Sequence, residues 1–198
     1  QDVANEWGIA ALPGREADFM KSIEQALGAA ETFERCHVHV MGGLTDGVAR
    51  EEAWKTYIKN LERAVRIAEK RGIQLLIEPL NSRDRPGYIL SSIDKAAEVV
   101  EHIRSPFLKI MFDCYHVQVE HGDLVRRLRT HWSRIGHVQF ANAPDRSEPG
   151  SGEIDFEYIF LEIDRLDDAG GWVGAEYRPS TQCTEESLGW FKVFQRGV

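Results

Sequence analysis

The sequence predicts an α/β fold with a parallel sheet, an eight-stranded (β/α) TIM barrel of which this stretch carries about strands 4 to 8. Two observations point there. Five strand-like runs alternate strictly with helix-like runs across the 198 residues, and such alternation builds a parallel sheet with helices packed outside it. Four of those runs also carry an oxygen-bearing side chain near the C-terminal end: Glu78, Asp113, Gln139 and Glu176. Chemistry at the C-terminal ends of several different strands is the habit of the barrel, whereas an open doubly wound sheet gathers its ligand beside one switch point. Neither a G-x-G-x-x-G nor a G-x-x-x-x-G-K-[ST] motif occurs. Five units cannot close eight strands. Either the first three units precede Gln1 or another chain completes an open fragment, and the abrupt start in a loop favours the first. The whole of 1–198 is read as a single domain.

Taken in order, residues 1–14 read as a loop closed by Pro13-Gly14. A helix is expected from about Arg15, with Phe19, Ile23, Ala26, Leu27 and Ala30 at helical spacing. His37 to Met41 is a short strand stopped by Gly42-Gly43. The next helix, Arg50 to Arg71, carries a stripe of Trp54, Tyr57, Ile58, Leu61, Val65 and Ala68, with Gly72 as its stop. The Leu75–Leu80 run is a buried strand bearing Glu78, followed by a polar loop from Asn81 to Gly87. A helix over Ser92 to Arg104 turns Ile93, Ala96, Ala97 and Val100 inward. The run from Lys109 ends in Asp113 and His116; a loop then leads to a helix capped by Asp123, with Leu124, Leu128 and Trp132 buried. The Ile135–Asn142 strand opens into a long Gly- and Pro-containing loop, 141–155, of the kind that is often functional. Asp155 caps the next helix, with Ile159, Ile163 and Leu166 inward and Gly170-Gly171 ending it. The Trp172–Tyr177 strand and a helix from Thr184 to Gln195, carrying Leu188, Phe191 and Phe194, complete the pattern.

The formal net charge of −8 argues against a nucleic-acid partner, because binding to the phosphate backbone is dominated by cationic contacts. Cys36, Cys114 and Cys183 form no metal-type pair and read as reduced thiols of a cytoplasmic protein. No run of about 18 apolar residues suggests a membrane partner. The expected partner is a small molecule.

Burying an ionised glutamate costs several kcal/mol unless a partner compensates it. Glu78, Asp113, Gln139 and Glu176 are all hard oxygen donors, which suit Mg²⁺ or Mn²⁺ better than a soft-ligand zinc site. The alternative is four isolated strand-end residues, each paired with a lysine or arginine. Arg146, in the 141–155 loop, is the first candidate to meet a substrate carboxylate, since guanidinium pairs with carboxylate bidentately; a solvated loop arginine is the other reading. Arg83, Asp84 and Arg85 follow the Glu78 strand and either reach the site or pair with one another. His39 shares strand parity with His37 and Met41, so it either lines the interior or is a core histidine.

The segments IEPLNSRDRPGYIL (77–90), FDCYHVQVEHGDL (112–124), IGHVQFANAPDRSEPGSGEIDF (135–156) and GAEYRP (174–179) resemble the hydroxypyruvate isomerase family of the xylose-isomerase-like barrel superfamily. The likeness begins at LPGREADF (12–19) and HVMGG (39–43) and runs through nearly the whole chain. It implies Glu78, Asp113, Gln139 and Glu176 as ligands of a divalent metal, with Glu78 and Glu176 also serving as proton donor and acceptor. Gln139 stands where related ketose epimerases commonly have histidine. His116 matches a substrate-contacting histidine of those epimerases. The implied reaction is a metal-dependent aldose–ketose type isomerisation, hydroxypyruvate to tartronate semialdehyde through an enediolate, with 2-oxo-tetronate isomerase or ketose 3-epimerase as the alternative. An abasic-site endonuclease and a non-catalytic relative are further rivals. A homo-oligomer is a family-level expectation.

Overall fold

A computed structural model describes residues 7–34, 36–150, 152–167, 171–181 and 183–194. The chain forms two compact units, 1–111 and 112–198, with the boundary inside the third strand.

In the first unit, β1 (His37–His39), β2 (Gln74–Ile77) and the start of β3 (Leu108–Asp113) lie parallel, with Val38 opposite Leu75 and Ile77 opposite Ile110. Leu75, Leu76, Ile77, Leu108 and Ile110 are all buried, as expected of parallel strands covered on both faces. The covering helices are α1 (Glu16–Ala30), α2 (Arg50–Arg71) and α3 (Ile93–Ile103). α1 buries Phe19, Ile23, Leu27 and Ala30 along one stripe. α2 ends where predicted: Gly72 takes a left-handed φ of 67° and its N–H closes onto Ala68. The buried stripe of α2 is rotated from the expected one. Ala53, Asn60 and Ala64 are buried, whereas Trp54 and Ile58 are half-buried beside an open groove between α2 and α3. Small residues allow close approach there, and buried Asn60 donates from Nδ2 to the Ala10 carbonyl at 2.9 Å. β1 is shorter than predicted, ending at His39.

The second unit holds α4 (Cys114–Glu120), α5 (Leu124–His131), a 3-10 turn (Trp132–Arg134), β4 (Ile135–Phe140), α6 (Phe156–Leu166), β5 (Val173–Ala175), α7 (Thr184–Ser187) and α8 (Gly189–Phe194). β4 and β5 are parallel, with Gln139 opposite Gly174. Phe140 stacks against Phe156, Phe160 and Trp190, a cluster that anchors α6 and α8 to β4.

Several expectations give way here. A helix, α4, follows Asp113 directly where a loop was expected, and Asp113 caps it by accepting from the Tyr115 N–H at 2.9 Å. Asp123 precedes α5 in a left-handed conformation and makes no side-chain cap; its carboxylate pairs with Arg126 instead. α5 ends one residue early, so His131 is buried and Trp132 is only half-buried. Asp155 does cap α6, accepting from the Tyr158 N–H at 3.0 Å, but Leu166 is half-buried and Phe156 takes the inward place. α6 ends at Leu166, and Gly170 lies outside the described residues. The final helix is broken at Leu188 into α7 and α8, leaving Leu188 and Phe191 exposed; the Phe194 side chain lies outside the described residues. Cys36, Cys114 and Cys183 are free thiols. No described helix is long and apolar enough to cross a membrane.

Candidate active site

Glu78 directly follows β2 and precedes Pro79, a context that keeps its backbone extended and carries the strand line past Ile77. It is buried, 5% exposed. His39, at the end of β1, brings Nε2 to 3.6 Å from Glu78 Oε2, because its register partner Leu76 lies two residues before the glutamate. That distance exceeds a hydrogen bond. Burial pushes the His39 imidazole down to about 4, so the ring is neutral at physiological pH and the contact is not an ion pair. Beyond β2, Tyr88 accepts the Gly42 N–H at 2.7 Å through its hydroxyl oxygen, fixing the Gly42-Gly43 turn, and burial raises its phenol pKa.

The 81–88 loop holds several bonds between its own residues. Asn81 Oδ1 accepts the Asp84 N–H at 2.8 Å, and Asp84 Oδ1 accepts from Arg83 Nε at 3.2 Å. Arg85 donates to the Asp84 carbonyl at 2.6 Å and lays its guanidinium over the Trp7 ring, 3.5 Å from the centroid.

In the second unit the acids come together. Asp113 ends β3 and is almost fully buried, while Glu176 follows β5 with a half-exposed side chain. A single nitrogen of Arg146, Nη2, lies 2.8 Å from Glu176 Oε2 and 3.4 Å from Asp113 Oδ2. Burial raises the Asp113 carboxyl to about 7, opposed by the Arg146 charge and the Tyr115 N–H. His116, on the first turn of α4, is buried with Nε2 at 3.8 Å from Asp113 Oδ2 and its ring edge against Tyr115. The Arg146 guanidinium lies 5.2 Å from the Tyr115 ring centroid.

Strand alternation places Gln139 on the face of β4 opposite Val138 and Phe140, both of which are buried. Gln139 Oε1 is buried and has no hydrogen-bond partner among the described residues. Its neighbour across the ladder is Gly174, where a Cβ would stand 3.0 Å from His137 Nε2 and 3.5 Å from Gln139 Cγ. Glycine therefore leaves those two side chains their space. A buried amide oxygen without a donor and a pair of strand-end carboxylates are the chemistry that a hard divalent cation takes. These residues fit such an ion.

Sequence reasoning named Arg146 for the substrate and overlooked that it binds two protein carboxylates. It also passed over Tyr115 and Asn142; the latter is fully buried at the start of the Arg146 loop. A buried asparagine just after a strand carried no periodic signal.

Residues 2–194 match the model of the family described as xylose isomerase-like TIM barrel. The chain belongs to that family. It is 42% identical over 192 residues to 2-oxo-tetronate isomerase of Cupriavidus necator, covering 96% of this chain and 73% of the relative. Against hydroxypyruvate isomerase of Escherichia coli the identity is 38% over 194 residues, covering 97% and 74%. Among solved structures, one named AP endonuclease, family 2, from Brucella melitensis superposes with a TM-score of 0.89 at 36% identity, covering 94% of this chain and 72% of that one. The barrel class and the resemblance to hydroxypyruvate isomerases are borne out, and the curated relatives are isomerases of small hydroxy-oxo acids.

Proposed function

We propose that this protein interconverts hydroxypyruvate and tartronate semialdehyde through an enediolate, using a divalent metal, Mg²⁺ or Mn²⁺. Glu78, Asp113, Gln139 and Glu176 are the residues assigned to hold the ion. The observation that carries the reading is the meeting of Asp113 and Glu176 at one nitrogen of Arg146. Arg146 offsets the repulsion between these two acids, and the same two carboxylates are hard oxygen donors of the kind a divalent ion takes. The unpartnered Gln139 oxygen and the isomerase relatives support the same reading.

When bound, the ion supplies Lewis-acid stabilisation for the negative charge that develops on the two substrate oxygens. The chain's own residues do the rest. The reaction takes a proton from C3 and returns one to C2, while a hydroxyl proton passes from O3 to O2, so no external oxidant is needed. Glu78 and Glu176 are assigned to the carbon-bound protons, one as base and the other as acid. His39, neutral and beside Glu78, is assigned to a substrate oxygen, as is His116. Arg146 is assigned to the substrate carboxylate. Asp84 is taken up by Arg83 and Asn81, and its assigned role is to shape its loop.

The identity of 42% to a 2-oxo-tetronate isomerase favours one second reading, the same chemistry on a four-carbon acid. Net charge of −8 weighs against the DNA substrate that the name of the Brucella structure suggests. The test is turnover of hydroxypyruvate and 2-oxo-tetronate side by side, before and after chelation and metal return, for the wild type, Glu78→Gln and Glu176→Gln. Unchanged turnover in both variants rejects the proton-transfer assignment; turnover of only the four-carbon acid selects the second reading.

A further inference from the structure

We infer that Asn142 is a positioning residue whose side-chain oxygen holds the 141–155 loop in the form that delivers Arg146 to the site. The inference rests on the assignment of Arg146 to the substrate carboxylate and adds what sets that arginine in place.

Asn142 lies two residues beyond the end of β4 and is 0% exposed. Its Oδ1 accepts two backbone N–H groups from opposite ends of the loop, Ala143 at 3.0 Å and Ile154 at 3.1 Å. Both bonds go to the oxygen, so the amide orientation is fixed, and Nδ2 has no hydrogen-bond partner among the described residues. The backbone closes the same clasp twice more, with Asn142 N–H to the Ser147 carbonyl at 2.7 Å and Glu153 N–H to the Ala143 carbonyl at 2.9 Å. Gly152 sits against the clasp: a Cβ there would stand 2.4 Å from Asn142 Oδ1 and 2.2 Å from the Ala143 carbonyl oxygen.

Inside this closed loop Arg146 takes a left-handed φ of 57°, a conformation a non-glycine residue holds only when its surroundings impose it. Two ties on the far side complete the imposition. The Arg178 N–H donates to the Arg146 carbonyl at 2.7 Å, and Glu148 accepts from the Ser180 N–H at 3.0 Å. A guanidinium at the end of a flexible side chain finds a fixed place only if its backbone is fixed. Asn142 is the side chain that ties the two ends of the loop together.

The experiment measures hydroxypyruvate KM, kcat and Mn²⁺ affinity for the full chain carrying Asn142→Leu, Gly152→Ala, Arg146→Met and the double variant Asn142→Leu/Arg146→Met. Gly152→Ala strains the same clasp while leaving the Asn142 side chain in place, so it reports even where Asn142→Leu does not fold. The expected result is a KM raised on the order of tenfold or more in each single variant, with no further rise in the double variant. An unchanged KM in Arg146→Met overturns the carboxylate assignment and the inference with it. A raised KM in Arg146→Met beside an unchanged KM in Gly152→Ala, or a full further rise in the double variant, overturns the Asn142 inference alone.

Discussion

Two loops of this molecule follow strands, carry arginines and bear a buried asparagine, yet they spend those residues differently. In the 81–88 loop Asn81 accepts from the Asp84 N–H three residues on, Arg83 pairs with Asp84, and Arg85 lies on Trp7. In the 141–155 loop Asn142 accepts from residues one and twelve positions on, and Arg146 reaches the carboxylates of Asp113 and Glu176. The short-range bond makes a local turn in which Asp84 pairs with its neighbour Arg83; the long-range bond closes a wide loop that projects one charge onto other strands' ends. Residue type does not separate the two loops. The span of the asparagine bond does.

The largest effect expected concerns the acid that Arg146 meets. Glu176→Gln keeps shape and hydrogen-bonding capacity but removes one of the two carboxylates assigned to proton transfer, and kcat for hydroxypyruvate should fall by about 10²- to 10⁴-fold. A loss below tenfold would place Glu176 outside proton transfer. Next, exhaustive chelation should abolish turnover and Mg²⁺ or Mn²⁺ should restore it; activity that persists in metal-free protein would break the reading of Gln139 and the strand-end acids. Arg146→Met should raise KM by about 10- to 100-fold, the worth of one charge-assisted hydrogen bond. Arg85→Met, its counterpart in the other loop, should change KM less than about twofold, because stacking on an aromatic ring at a partly exposed position contributes about 0.5–1 kcal/mol to local order. Equal KM effects from the two arginines would erase the distinction between the loops.

A third set of arginines sharpens it further. Arg129 of α5 and Arg165 of α6 both bond the carboxylate of Glu162, which holds its pKa below the usual carboxylate value, chiefly through the Arg129 hydrogen bond. A carboxylate with a depressed folded-state pKa adds stability that is present above its unfolded pKa, near 4.5, and lost as pH falls through the folded value. Glu162→Gln should therefore lower Tm at pH 7, with the difference from wild type closing below about pH 4, as thermal melts would record. Turnover of the folded variant should be unchanged. A Tm gap that persists at low pH would assign the effect to packing.

The strands and the residues at their ends were legible because apolar runs and isolated carboxylates are one-dimensional signals. Glu78, Asp113, Gln139 and Glu176 could be named from their places in the chain alone. α4 was not legible: Cys-Tyr-His-Val-Gln-Val-Glu is rich in β-branched and aromatic residues, and local propensity is weak enough for tertiary context to override it. The Asp113 carboxylate settles the matter by capping the helix. Trp54 misled in the other direction, since helical spacing fixes a stripe but leaves open which edge of it meets the strands.

By itself, then, the sequence determined the alternation of strands and helices, the oxygen donors at the strand ends and the family to which the chain belongs. Tertiary structure alone decided which charges are spent within a loop and which are delivered to the acids. Hydrogen bonds such as those of Asn142 join residues far apart in the chain, and a pattern of nearest neighbours holds no record of them.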